Sequence, residues 1–265
     1  MNQIARVVPL AFISLLLTVG AASSEEKGSI DADQPVPTAT RTPTATPTPT
    51  HRPLPQSHLL SPMSHEYQDW NNCGAVSAAM VLSYYGIRRG QYEIAAVVRP
   101  HKDDKHVGND ELLAYLRQEG LEGAAYVNGT VERLQALIAA GVPVLIQTWL
   151  KPGEDIGHYR VVRGYDRAKG VIILNDSYHG PMISMDVPAL EAVWAPFNHR
   201  YIPIYRPQQA GEVCGIVAED CEREAMYRRA AEAAREWTQR SPQDPYAWYN
   251  LGDDLLALGD AMGAL

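Results

Sequence analysis

Residues 74–85, GAVSAAMVLSYY, predict a helix that is apolar on nearly every side, and a helix of that kind has to be surrounded by protein. Whatever this chain folds into must therefore wrap other elements around that segment. Cys73 stands at its entrance, after the polar stretch QDWNN. Three more helical patterns follow. QYEIAAVVRP stops at Pro100; NDELLAYLRQEG offers Asn109 and Asp110 as caps and Gly120 as its stop; TVERLQALIAAG runs between Thr130 and Gly141. Beyond Gly141 the texture changes. VPVLIQTWL, HYRVVRGYD, GVIILND and HRYIPIYRP are short, rich in β-branched and aromatic residues and bounded by Gly, Pro and Asp, so they predict strands. GYDRAKGV predicts the turn between two of them. Helices first and strands after imply an α+β architecture with an antiparallel sheet packed on the helical half.

Either side of that domain, expected over residues 59–207, the chain reads differently. Residues 1–23 pair a short head carrying Arg6 with an apolar stretch and small residues, the pattern of an export signal. The stretch is shorter than the roughly 20 residues a spanning helix needs, so a membrane enters only if the signal is retained as an anchor. Residues 24–58 are dominated by Pro, Thr and Ala and predict an extended linker. The expected location is extracytoplasmic, secreted or at the cell surface. Residues 211–265 predict a helical segment in which Trp248, Leu251 and Gly252 match the opening of a tetratricopeptide repeat; one repeat cannot bury its own face, so it either packs on the preceding domain or, the reading preferred here, is a piece of a longer array that offers a surface to a protein partner.

The net charge of −8 and the lack of a dense Lys/Arg cluster exclude nucleic acid as the main partner. Asp103, Asp104, His106, Asp110 and Glu111 are explained by a solvated loop and a helix cap, so no metal and no cofactor are expected. Trp149, Trp194, Tyr84 and Tyr85 predict core or cleft wall. Of three cysteines, Cys214 and Cys221 are near enough to pair unless a helix holds them apart; if they pair, Cys73 is left as a free thiol.

A thiol acts as a nucleophile in its thiolate form, which a helix start supports through unpaired N–H groups. Cys73 sits there, and Gly74 beside it is expected to leave room for a substrate. Gln68, five residues upstream, is a neutral donor able to reach a developing oxyanion. The base is expected in His158, which opens the strand HYRVVRGYD, whereas His58 and His65 fall in a flexible approach and His179 in a turn. Asp176 ends the next strand, and a hairpin would bring it beside His158. Cys, His and Asp in that arrangement make a nucleophilic triad.

YQDWNNCGAVSAAMVLSYYG, GHYRVVRGYD and VIILNDSYHG resemble the three blocks of the bacteriocin-processing, double-glycine peptidase-like group of papain-like cysteine peptidases, over about Ser64 to Tyr205. The resemblance implies a papain-like fold and a peptide or protein substrate. It further implies Cys73 as nucleophile, His158 as general base, Asp176 as orienter and Gln68 as oxyanion donor. Ala75 and Ser177 stand where prolines are common, and Gln68 is one residue nearer the cysteine than in the leader peptidases. Two other functions fit the same residues: a transglutaminase-like acyl transferase, and a peptide-binding module without turnover.

Overall fold

The computed structural model describes residues 53–101 and 106–264. The expected signal and most of the expected linker, with Asp103 and Asp104, lie outside them. The elements in order are β1 (Ser57–Leu59), α1 (Cys73–Tyr84), α2 (Gln91–Val98), α3 (Asn109–Gln118), β2 (Glu122–Gly123), α4 (Val131–Ala139), β3 (Val144–Trp149), β4 (Gly157–Asp166), β5 (Val171–Asp176), β6 (Gly180–Asp186), α5 (Val187–Trp194), β7 (Tyr201–Tyr205), α6 (Ala210–Val217), α7 (Arg223–Arg240) and α8 (Pro245–Ala257). The architecture is α+β, with helices preceding an antiparallel sheet of order β2-β7-β3-β4-β5-β6.

Helix α1 is the buried centre that its composition requires. Val76, Met80, Val81 and Leu82 are all buried, at roughly 1.5–3 kcal/mol each. Ser77, the polar residue in this run, donates to the Tyr159 carbonyl of β4 at 3.3 Å, which ties the helix to the sheet. Strand β4 is buried along most of its length. Its first half pairs with β3 on one side, and β1 takes over that same edge at Gly164–Asp166. A side chain at Gly164 would place its Cβ 2.8 Å from the His58 carbonyl, so β1 can lie this close only against glycine. The domain thus begins before the expected Leu59, and the approach to α1 is held in place: Leu60 N–H donates to Arg163 O, and buried Arg163 donates to Leu60 O.

The short strands β1 and β2 were not legible, nor were two longer elements. β6 is an edge strand with Pro181 and four exposed residues, and α5 spans only eight residues, entered through Asp186, whose carboxylate accepts from Ala189 N–H. Thr130 caps α4 as expected, by accepting from Arg133 N–H. The start of α3 differs: Asn109 and Asp110 lie inside it, and Glu111 accepts from Gly108 N–H at 2.7 Å.

The C-terminal helices pack on the domain. Cys214 and Cys221 form a disulfide, because α6 ends at Ala218, where a positive φ of 53° turns the chain back. Asp220 beside it is buried between Arg133 of α4 and Arg229 of α7. Met226 Sδ accepts from Val127 N–H, Asn198 donates to buried Asp254 of α8 at 2.7 Å, and Asn250 donates to Ala195 O. The apolar residues Leu251 and Leu255 of α8 pack against Ala231 and Ala234 of α7 in a cluster of their own, while the polar bonds above hold the pair on the domain.

Candidate active site

Cys73 is the first residue of α1. The residue before it, Asn72, does not cap the helix, because its buried side chain is engaged elsewhere, donating to Gln91 Oε1 and accepting from Arg99. The N–H groups of that first turn stay available, and the amides of Gly74 and Tyr159 bond to the sulfur. Burial by itself raises the thiol pKa. The hydrogen bond and charge of His158, with those two amides, outweigh burial and pull the thiol below its ordinary value.

His158 enters from β4, and its Nε2–H donates to Asp176 Oδ1 at 2.9 Å. With Nε2 so engaged, Nδ1 is the nitrogen that serves the Cys73 sulfur. Burial lowers the imidazole pKa, but Asp176 and Cys73 together raise it above the ordinary value. Thiol down and imidazole up favour a thiolate–imidazolium pair. Asp176 closes β5 opposite Arg160, so the hairpin β4–β5 does bring it to His158. Its carboxylate also accepts from the Tyr178 and His179 amides, from His179 Nδ1 and from Arg160 Nε. Burial opposes its ionisation, yet the hydrogen bond and charge of His158, with Arg160, hold the carboxyl far below the usual carboxylate range.

Gln68 sits on the loop before α1. Its backbone N–H donates to Ser177 O at 2.9 Å, and its Oε1 accepts from the Ser177 hydroxyl at 2.7 Å, which leaves the Nε2 end as the donor. The loop is organised by buried Gln91 of α2, which accepts from Asp69 N–H and donates to Glu66 and to Tyr67 O. His65, read above as lying in a flexible approach, donates to the Asp176 carbonyl at 2.9 Å. Gly74 has another role than the one expected. It is buried, and an added Cβ would meet Val107 at 3.2 Å and the Tyr159 ring at 3.5 Å, so the missing side chain makes room for the protein's own wall. That wall is fixed by Tyr159 Oη, which donates to Asn109 Oδ1 and accepts from Gln147 Nε2.

The sequence profile of the Peptidase_C39 like family matches residues 52–202, more than half of the chain. The chain belongs to this family. Among solved structures, this C39-like peptidase is similar to a double glycine motif protease from an AMS/PCAT transporter in complex with its leader peptide, at 19% identity and a TM-score of 0.44 over 56% of this chain and 94% of that one. It is also similar to a C39-like peptidase from Bacillus anthracis, at 17% identity and a TM-score of 0.47 over 57% and 98%. Xylellain, a cysteine protease from Xylella fastidiosa, matches at 12% and 0.43 over 58% and 87%. No curated protein matches. By family the chain is a C39-like peptidase.

Sequence reasoning missed Arg160, Gln91 and Ser177, which act on the four named residues from behind. Arg160 left a signal, a charge at the third position of a strand otherwise headed for burial, and Ser177 left another by standing where a proline is common. Trp194 is core, donating to Arg200 O; Tyr84 and Tyr85 donate to the Gly141 and Ile204 carbonyls; Trp149 borders a cavity. Among the described residues no group of three or more His, Cys, Asp or Glu is arranged to hold a metal ion.

Proposed function

We propose that this C39-like peptidase is an exported hydrolase that cleaves peptide bonds through Cys73, His158 and Asp176. The observation that carries the reading is the placement of His158 between the Cys73 sulfur and the Asp176 carboxylate, with the thiol shifted down and the imidazole up. The Cys73 thiolate adds to the scissile carbonyl, and the oxyanion is held by the Cys73 N–H and Gln68 Nε2. His158 gives its proton to the departing amine as a thioester forms. It then takes a proton from water, which attacks the thioester, releases the acid and restores the thiol. Export is supported by residues 1–23 and by the Cys214–Cys221 disulfide, a bond that persists in oxidising compartments. A thiol-directed peptide electrophile, read by intact mass, tests the mechanism: one adduct is expected on wild type and none on Cys73→Ala or after His158→Ala. Equal labelling of all three would sink it.

A further inference from the structure

A cavity of about 520 Å³ lies between β3 and α8, bordered by Gln147, Trp149, Phe197, Arg200, Tyr246 and Tyr249 among others. One wall adjoins the start of α1. Along the β3–β4 ladder Thr148 and His158 share one face of the sheet, while Gln147, paired with Tyr159, and Trp149, paired with Gly157, lie on the other. On that face Gln147 donates to Tyr159 Oη, and the Tyr159 ring packs against Gly74 beside Cys73, so the cavity borders the nucleophile's end of α1.

Helix α8 is built with two stripes. Ala247, Asn250, Leu251, Asp254 and Leu255 are buried, whereas Tyr246, Tyr249 and Asp253 recur at three- and four-residue spacing along the cavity. Trp149 meets Phe197 edge-on, with ring centroids 4.7 Å apart, and Tyr246 at 6.0 Å, so the aromatic wall is braced. The charges on the rim are matched: Arg200 pairs with Asp253 at 3.1 Å and donates to Gln147 Oε1 at 3.4 Å. An ionic ligand would find no unmatched charge there. Aromatic walls, matched charge and a volume in the range of ligand pockets suit one or two large apolar side chains. Residues 245–257 also lie outside the stretch matched by the family profile.

We propose that this cavity is a substrate subsite, closed on one side by α8, that accepts an aromatic or long apolar side chain of the peptide being cleaved; the proposal rests on the peptide-hydrolase reading. The test screens a peptide library for binding to Cys73→Ala protein and for cleavage by wild type. Peptides with an aromatic residue at one fixed position are expected to be selected in both arms. Tyr249→Asp and Tyr246→Ala should each weaken binding of the aromatic peptide at least tenfold and leave its alanine counterpart unaffected. Tyr249 is 69% exposed, so its replacement should keep the melting temperature of the parent. Selection without positional preference, or variants that bind both peptides as the parent does, would overturn the subsite. Aromatic selection by Cys73→Ala without cleavage by wild type leaves the subsite standing and removes the hydrolase reading; cleavage indifferent to aromatic residues does the reverse.

Discussion

Arg160 Nε lies 2.7 Å from Asp176 Oδ2, so the carboxylate that orients His158 is also half of a buried ion pair. The same guanidinium donates to the Trp149 and Leu150 carbonyls and to Thr148, which fastens the end of β3 to the site. Arg160→Met removes all of these donors and leaves Asp176 buried beside an uncharged neighbour. The expected cost is about 3–5 kcal/mol in urea unfolding. Arg160→Lys keeps the charge without the planar fork and should recover only part of it. Stability equal to wild type in Arg160→Met would show that the carboxylate is held adequately by His158 and the turn amides.

The Cys73–His158 pair sets a pH dependence. Because the thiol is shifted down and the imidazole up, alkylation by iodoacetamide should persist well below the ordinary thiol range. In His158→Ala the pull of the imidazole is gone and burial is opposed only by the Gly74 and Tyr159 amides, so the reactive form should appear at higher pH than in wild type. Rate profiles from pH 4 to 10 for the two proteins check this. Coincident profiles would mean that His158 does not govern the thiol.

Ser177 is a positioning residue for Gln68, which explains what a non-proline residue does after Asp176. Ser177→Ala frees the Gln68 amide to rotate, and peptide hydrolysis should drop about tenfold in kcat, less than the 10²–10³ expected for loss of an oxyanion donor itself. Iodoacetamide alkylation, which builds no oxyanion, should be unchanged. A fall in both rates would point instead to a general disturbance of the loop around Cys73.

Asp254 couples the C-terminal helices to pH. Burial pushes its carboxyl up to about 7, against the Asn198 hydrogen bond, while Asp253 adds to the rise and Arg200 opposes it. A carboxyl raised in the folded state contributes stability that is complete below its unfolded value near 4 and is lost as pH rises through about 7. Wild type should therefore melt at lower temperature at pH 8 than at pH 5 relative to Asp254→Asn, which keeps the oxygen that Asn198 binds and loses the titration. Parallel melting curves for the two across that range would refute the assignment.

The parts of this molecule that could be read in advance are those fixed by local pattern. Helix α1 announces itself because no face of it is polar, and His158 and Asp176 were placed because a short turn leaves β4 and β5 little choice but to pair. What escaped was decided by partners distant in sequence. Gln91 looks like an ordinary first-turn residue until the loop at 66–72 folds over it, and Gly74 looks like substrate space until Val107 and Tyr159 arrive. The docking of α8 rests on Asn198, Arg200 and Asn250, polar residues whose partners no hydrophobic periodicity reveals. β6 was hidden because an edge strand bonded on one side tolerates Pro181 and exposed neighbours.

The handover of one β4 edge from β3 to β1 sets how the domain can be held. His158 is at the start of β4 and the β1 partners are at its end, seven residues on, or about 23 Å of extended strand. A leash or fusion partner attached ahead of Ser57 therefore pulls on the end of β4 remote from His158, and the load enters the sheet away from the proposed base.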